Sequence, residues 1–233
     1  TINISEAWIA RYGTSFDSFS YVTFLHEIGH ALGLGHPGPY NFEADYYVDA
    51  IFANDSWALT LMSYFDQVEA TSVLGDFGYP VTPMQADLVA IRDLYGAPEG
   101  DVISAGDTVW SWDTTIPGVF GEYQIANFTS APETPNIALE TRSVFTIYDR
   151  DGIDTINWED GRNPLIIDIA PGGLGSKAQS SNTIAIDVDT WIENVIGGQN
   201  DEVFEGNDVA NRLDGRLGGD HITGGAGGAT ILG

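Results

Sequence analysis

From residue 197 onward the sequence repeats a nine-residue pattern, which constrains the fold more than any other feature of the chain. Glycine recurs at positions 197, 206, 215, 224 and 233, and a bulky apolar residue recurs at Phe204, Leu213, Ile222 and Ile231. Six residues of each repeat can form a tight turn, and the other three can form a short strand whose apolar side chain points inward. A flexible glycine-rich tail is the alternative, but four apolar positions in register favour the repeat. We therefore predict a stack of short parallel strands over this segment.

The composition is strongly acidic, with 34 Asp and Glu against 8 Lys and Arg and a net charge of −26 at pH 7. Such a surface repels nucleic acid and anionic membranes, so we expect neither as a partner. One interpretation is a solvated acidic surface that keeps the protein soluble. The other is that many carboxylates bind Ca²⁺, which takes oxygen ligands, and the repeats favour it in the C-terminal third. The chain has no cysteine, which excludes disulfides and thiolate metal sites.

Three of the four histidines lie between residues 26 and 36. His26 and His30 are four residues apart, so on a helix their rings project from one face, and Glu27 lies beside them. Gly33 can adopt the left-handed backbone that ends a helix and lets His36 return as a third ligand. A His-Glu-x-x-His pattern alone occurs by chance, but the third histidine at this offset favours function. Three imidazoles with an open fourth position predict a catalytic zinc site, with Glu27 as the base that takes a proton from the activated water.

The residue pattern of the N-terminal half of the chain predicts helices separated by loops. A short strand is predicted at residues 1–5, then a loop, a helix from about Ser18 to Leu32, and an irregular loop over residues 37–60. A second helix is predicted with Thr82 as its N-cap, Pro83 at its first position, Gln85 in a capping box and Gly96 at its end. Its buried stripe is predicted to consist of Met84, Leu88, Ile91 and Leu94.

The pattern changes after residue 108, where short strand-like segments are separated by Gly, Asp and Asn. Residues 97–108 are typical of a linker, and we place a domain boundary near Pro98. The sequence thus predicts an α+β domain over residues 1–98 and an all-β domain over residues 99–233, with clear repeats from residue 197.

With the histidine motif and the repeats in one chain, the sequence resembles the serralysin family, secreted zinc endopeptidases among the metzincins. Pro37, directly after the third histidine, matches that family, and so does Leu61-Met62-Ser63-Tyr64, which is similar to its Met-turn. The resemblance implies that Met62 forms a hydrophobic floor beneath the zinc ligands. It also implies that Tyr64 is a further, displaceable zinc ligand that stabilises the tetrahedral intermediate; a buried structural tyrosine is the alternative.

The resemblance also implies calcium sites in the C-terminal domain. Segments 104–108, 149–155 and 191–194 are similar to calcium-binding segments of the family, and the repeats are similar to its β-roll. The implied calcium ligands are Ser104, Gly106, Thr108, Asp149, Asp151, Gly152, Asp154, Trp191, Glu193, Gly197, Gln199, Glu202, Gly215, Leu217 and Asp220. The repeats depart from the family because their Asp position holds Glu202, Asn211, Asp220 and Ala229 in turn. We therefore expect fewer or weaker calcium sites there, and we interpret His221 as a surface residue.

The resemblance implies the C-terminal part of a metzincin-like catalytic domain followed by a calcium-binding β-roll domain. The expected function is a secreted, monomeric, calcium-stabilised zinc endopeptidase that cleaves proteins or peptides. Family members have a much longer segment before the zinc helix, so we expect a fragment whose missing N-terminal part would be a partner. The alternative is an inert metal-binding fragment whose β-roll serves folding, secretion or adhesion.

Overall fold

The computed structural model describes residues 2–70, 72–73, 75–99, 104–111, 113–114, 116–118, 121, 143–161, 163–177 and 180–233. Its named helices are α1 (Glu6–Tyr12), α2 (Phe19–Ala31), α3 (Tyr46–Asp49) and α4 (Gln85–Tyr95). No helix of the described chain is both long and apolar enough to cross a membrane.

The first residues begin a helix, and the strand predicted at residues 1–5 is wrong for its described part. Residues 2–5 form no strand, and Ser5 is the N-cap of α1, where its hydroxyl accepts the N–H of Trp8 at 3.1 Å. Alternation of Ile2 and Ile4 was a weak signal because no described strand pairs with them. The predicted loop therefore contains α1, which sets Trp8 against the ring of Phe19 at a centroid distance of 5.7 Å.

The helix predicted from about Ser18 to Leu32, which carries His26 and His30, is confirmed as α2. Ser18 caps α2 by accepting the N–H of Tyr21 at 3.3 Å, and α2 ends at Ala31 with Leu32 as its C-cap. Gly33 then adopts φ +97°, the left-handed conformation that was predicted to turn the chain. Residues 37–60 are mostly irregular, as predicted, apart from the short α3.

The second predicted helix exists as α4, but its capping was predicted wrongly. The N-cap is Met84, whose N–H donates to the carboxylate of Asp87 at 2.9 Å. Thr82 instead accepts the N–H of Thr146 at 2.8 Å, so its hydroxyl serves a tertiary contact. The side chain of Gln85 likewise donates to the carbonyl of Ile186 at 2.6 Å. Gly96 ends the helix with φ +84°, as predicted.

The predicted apolar stripe of α4 is only partly buried. Met84 is 2% exposed, whereas Leu94 is 56% exposed, so Leu94 was wrongly assigned to the core.

The described strands form two sheets. The strands are β1 (Tyr79–Pro80), β2 (Val109–Trp110), β3 (Ser143–Ile147), β4 (Thr155–Asn157), β5 (Leu165–Asp168), β6 (Leu174–Lys177), β7 (Ser180–Ile186), β8 (Asn194–Ile196), β9 (Val203–Glu205), β10 (Asn211–Asp214), β11 (His221–Thr223) and β12 (Ala229–Leu232). One sheet has the order β1-β3-β7-β6-β5-β9-β11, and the other has the order β12-β10-β8-β4-β2.

The glycine repeats form parallel strands, as predicted. Paired residues are 18 positions apart, as Val195 with Leu213 in one sheet and Phe204 with Ile222 in the other. Successive nine-residue repeats therefore lie in opposite sheets, and two repeats make one complete coil. Phe204 and Leu213 point inward and are at most 1% exposed, whereas Ile231 in the edge strand β12 is 50% exposed.

The core joins segments on the two sides of the predicted boundary at Pro98. Val81 packs in the large cluster between the two sheets, together with residues such as Ile147 and Phe204. A second cluster brings Val22 of α2 and Met84 against Val144 of β3. Strands β1 and β3 also pair in parallel across this boundary, which itself stays a prediction. The helix that carries the histidines is thus packed directly onto the β part.

Candidate metal centre

The three predicted zinc ligands converge. The Nε2 atom of His36 lies 3.2 Å from Nε2 of His26 and 3.1 Å from Nε2 of His30. Zinc–nitrogen bonds of about 2.0–2.1 Å in tetrahedral geometry separate neighbouring ligand nitrogens by about 3.3–3.4 Å. The observed spacings are close to that value, so one small cation fits between the three rings. Among the described residues this is the one trio of His, Asp or Glu side chains that converges in this way.

Backbone carbonyls fix the tautomer of each ring. The Nδ1 atoms of His26, His30 and His36 lie 2.8, 2.9 and 2.9 Å from the carbonyl oxygens of Leu61, Leu34 and Tyr40 in that order. A carbonyl only accepts, so each Nδ1 carries the proton and each Nε2 presents a lone pair. Burial also lowers the pKa of His26, which favours the neutral imidazole. Three lone pairs facing one point repel each other unless a cation lies between them, so the residues present fit zinc.

Met62 packs directly against α2, the helix that carries His26 and His30. It is 2% exposed, and a Cβ built on Gly29 would be 2.4 Å from its sulfur. Any larger residue at position 29 would therefore require the Met62 sulfur to shift from its place against α2. This placement agrees with the floor implied for Met62, and the motif analysis had assigned no role to Gly29.

Tyr64 and Glu27 lie at the open side of the centre. The half-buried ring of Tyr64 is 4.6 Å from the ring of His36 and 5.8 Å from that of His26, measured between centroids. A pocket of about 440 Å³ beside them is lined by Glu27, His26 and Tyr64. Its apolar wall consists of Trp8, Phe19, Phe42 and Trp57. The structure thus places the predicted base at a cavity that can hold a side chain; the catalytic roles of Glu27 and Tyr64 stay predictions.

Sequence reasoning missed Tyr40, which orients His36. Its carbonyl accepts from Nδ1 of His36, and its ring stacks on the His36 ring at 5.4 Å with an interplanar angle of 19°. Its hydroxyl donates to Asp55 at 3.0 Å, and burial raises the pKa of Tyr40 well above its usual value. Gly38 leaves space for this ring, because a Cβ there would lie 2.6 Å from it.

Curated relatives align with most of the chain. A serralysin of Proteus mirabilis is 30% identical over 216 residues, which are 89% of this chain and 41% of the relative. Serralysin C of Dickeya chrysanthemi is 33% identical over 204 residues, which are 87% of this chain and 39% of the relative. The chain belongs to the serralysin family.

The chain spans about two fifths of the length of these serralysins. Metallopeptidase AprA of Pseudomonas marginalis is also similar, with 29% identity over 200 residues, 84% of this chain and 39% of the relative. No protein-family model matches the chain. The family resemblance stated from the histidine motif, Met62, Tyr64 and the repeats is confirmed.

Two of the segments predicted to bind calcium lie side by side. The N–H of Gly106 donates to Asp151 at 2.8 Å, and the N–H of Thr108 donates to Asp154 at 2.8 Å. Glu193 accepts the N–H of Asp154 at 2.7 Å, so all three segments meet. Burial raises the pKa of Asp154 to about 7, and repulsion from neighbouring acids adds to the effect. A buried carboxylate among other acids is a site that a cation would stabilise.

Other predicted calcium ligands lie in the segments 104–108 and 149–155, which contact each other. Burial raises the pKa of Asp149 to about 6, and Asp149 accepts from the indole of Trp110 at 3.2 Å. Gly152 approaches Gly106 so closely that a Cβ would lie 2.4 Å from its carbonyl. The hydroxyl of Ser104 donates to the carbonyl of Tyr148 at 2.6 Å. The Trp191 side chain is 41% exposed.

The first coil of the repeats contains a buried acid. Glu202 is 0% exposed, and neither of its carboxylate oxygens makes a hydrogen bond of normal geometry with the described residues. The amides of Gly198 and Asn200 lie near enough to lower its pKa, but burial dominates and raises it to about 7. Asp220 faces it from the next coil and accepts the Glu202 N–H at 3.0 Å. A Cβ on Gly215 would lie 2.1 Å from the Asp220 carboxylate, so that glycine makes room for it.

Among the other predicted ligands in the repeats, Leu217 and Gly197 can contribute only through the backbone. The side chains of Gln199 and Leu217 are exposed, and Gly197 has none. The N–H of Leu217 donates to the carbonyl of Gly198 at 3.2 Å, which joins neighbouring coils. His221 is exposed, which confirms its interpretation as a surface residue.

On the opposite side of the coil, asparagine amides occupy the equivalent position. The side-chain N–H groups of Asn207 donate to the carbonyls of Ile192 at 2.8 Å and Ile169 at 3.2 Å. Asn211 donates to Ile192 at 3.2 Å and accepts the Asn207 N–H at 2.9 Å. Carbonyls that could face a cation are thus already bonded to amide donors. This agrees with the expectation of fewer calcium sites where Asn replaces Asp.

Proposed function

We propose that this chain carries the zinc centre of a secreted endopeptidase that hydrolyses proteins or peptides. The observation that carries the proposal is the convergence of three imidazole lone pairs, with Nε2 of His36 within 3.2 Å of the other two, beside Glu27 and a pocket of about 440 Å³. The names of the curated serralysins and of metallopeptidase AprA support the same reaction.

Each residue of the centre has a separate task. His26, His30 and His36 would hold Zn²⁺, which supplies Lewis acidity that polarises a peptide carbonyl and activates a water molecule. Glu27 takes a proton from that water and delivers it to the leaving amine. The hydroxyl of Tyr64 donates a hydrogen bond to the oxyanion that develops on the carbonyl. The aromatic wall of the pocket binds an apolar substrate group and excludes water from the reacting atoms.

We further propose that Ca²⁺ stabilises the β part. The buried carboxylates of Asp154 and Glu202 have raised pKa values of about 7, and each faces another acid. A hard cation that accepts carboxylate and carbonyl oxygens would offset both the burial and the repulsion. The asparagine-filled side of the coil would not take part.

The finer features of the family are proposed on the same basis. They comprise a metzincin-type catalytic domain followed by an all-β domain, export from the cell, and a monomeric state. The acidic surface, with a net charge of −26, supports the absence of nucleic-acid and anionic-membrane partners.

Casein hydrolysis in zinc and calcium tests the reaction. Glu27→Ala should lower the rate by about 100- to 10,000-fold because it removes the proton acceptor, while zinc binding persists. Glu6→Ala, an exposed acid in the first turn of α1, is the control and should leave the rate unchanged. Near-normal hydrolysis by Glu27→Ala would contradict the assignment of the base. Zinc binding without hydrolysis by the unmodified chain would favour the inert metal-binding alternative.

A further inference from the structure

A buried carboxylate holds the turn that faces His26. Asp87, at the start of α4, is 3% exposed. Its Oδ1 accepts the hydroxyl of Thr60 at 2.6 Å, and its Oδ2 accepts the N–H groups of Leu61 at 2.8 Å and Met84 at 2.9 Å. Both oxygens act only as acceptors, which is the geometry of an ionised carboxylate.

The same turn supplies the acceptor that orients His26. The carbonyl of Leu61 accepts from Nδ1 of His26 at 2.8 Å. That carbonyl shares a peptide plane with the N–H of Met62, which donates to the Thr60 hydroxyl oxygen at 3.0 Å. The Thr60 hydroxyl in turn donates to Asp87. The carboxylate therefore holds the peptide plane that faces His26 through Thr60, and it holds the preceding plane through the Leu61 N–H.

His26 differs from the other two ligands in how its acceptor is placed. His30 and His36 each bond a carbonyl four residues further along the chain, so local turns place their acceptors. The Leu61 carbonyl is 35 residues from His26, so it must be brought there by tertiary structure. The direct bonds to Asp87 supply that anchor.

The charge of Asp87 is satisfied by this turn and by the start of α4. Among the described residues no Lys or Arg forms an ion pair with it. Three donors therefore compensate the carboxylate, and hydrogen bonds in a dry interior polarise one another along a chain. Outer partners of a metal-binding histidine fix its tautomer and raise the basicity of the ligand nitrogen.

We propose that Asp87 is a positioning residue for the zinc centre, acting on His26 through Thr60 and the Leu61 peptide. The inference rests on the proposed zinc site and adds a residue of α4 to it. It assigns Asp87 a function beyond capping its own helix: the carboxylate couples the packing of α4 to the affinity for the metal.

Zinc affinity, measured by competition with a chromophoric chelator well below the unfolding temperature, tests the proposal without using catalysis. Asp87→Asn keeps the volume but presents an NH₂ group where only acceptors fit, and we expect zinc affinity to fall about 10- to 100-fold. Asp187→Asn is the matched control, because Asp187 is 0% exposed and pairs with Arg92 of α4 at 2.9 Å. That control should lose stability and keep its zinc affinity.

A second pair of variants covers the case in which Asp87→Asn does not fold. Thr60→Ser retains the hydroxyl and should bind zinc as the unmodified chain does, whereas Thr60→Val breaks the relay and should bind more weakly. The visible spectrum of the Co²⁺-substituted protein should change in Thr60→Val and not in Thr60→Ser. Equal zinc affinities for Thr60→Val and Thr60→Ser, or an unchanged affinity in folded Asp87→Asn, would overturn the proposal. If the unmodified chain binds no zinc at all, the proposed function itself fails, which is a separate result.

Discussion

Replacing Gly29 by alanine should have opposite effects depending on the residue at position 62. A Cβ at position 29 would lie 2.4 Å from the sulfur of Met62, whereas non-bonded heavy atoms prefer about 3.5–4.0 Å. Met62 is 2% exposed, so its sulfur can shift only against other protein atoms or into the adjoining cavity that it lines. Overpacking of this kind costs about 1–3 kcal/mol, and the gain of about 1 kcal/mol from alanine in a helix offsets part of it. Gly29→Ala should therefore lower the free energy of unfolding by about 1 kcal/mol.

In a Met62→Ala background the same change should be stabilising. Met62→Ala alone should cost about 2–5 kcal/mol through the cavity it leaves. Without the sulfur to collide with, Gly29→Ala should then raise the free energy of unfolding by about 1 kcal/mol through helix propensity. The two sites thus couple by about 2 kcal/mol, within the range measured for residues in contact.

Urea unfolding in saturating calcium, with zinc removed by a selective chelator, measures all four members of this cycle. Gly35→Ala is the control within the same motif, since a Cβ there meets nothing within 4 Å, and it should change stability by less than about 0.5 kcal/mol. If Gly29→Ala has the same effect in the unmodified chain and in the Met62→Ala background, the close approach of helix and methionine is refuted.

Two further predictions concern the β part. Gly218→Ala should cost about 3 kcal/mol or more in urea unfolding, because φ is +137° and a Cβ would lie 1.9 Å from the Asn200 carbonyl of the preceding coil. Gly228→Ala, with φ +81° and open space, should cost only about 1–2 kcal/mol, and similar losses for both would contradict the close packing of coils. In excess chelator the free energy of unfolding should decrease as the pH rises from about 4 to about 7. The reason is that Asp154 and Glu202, with pKa values raised to about 7, hold protons in the folded state that the unfolded chain releases. Melting curves at several pH values measure this effect: Glu202→Gln should weaken the pH dependence, and Glu205→Gln, at an exposed position, should not. A chelated protein that melts at a higher temperature at pH 8 than at pH 5 would show that these acids are not buried as described.

The features that the sequence predicted well depend on neighbours within one helical turn or one repeat. Spacing of four residues places His26 and His30 on one face of α2, and Gly33 ends the turn that returns His36. The nine-residue period likewise predicts parallel strands, because each repeat meets a copy of itself at a fixed offset. Where a local pattern had no partner, as at residues 1–5, the same reasoning failed.

Only the tertiary structure determined which residues these helices and strands contact. Thr82 and Gln85 carry side chains suited to capping, but both bond residues of the β part, and Asp87 caps α4 instead. The acceptor of His26 is 35 residues away, and Asp87 holds that turn from 26 residues further along the chain. No periodicity connects positions so distant, because their contact follows from how whole elements pack. The sequence by itself therefore determined the convergence of the three histidines and the repeating strands, whereas the packing of α4 and the β part determined which groups hold the ring of His26.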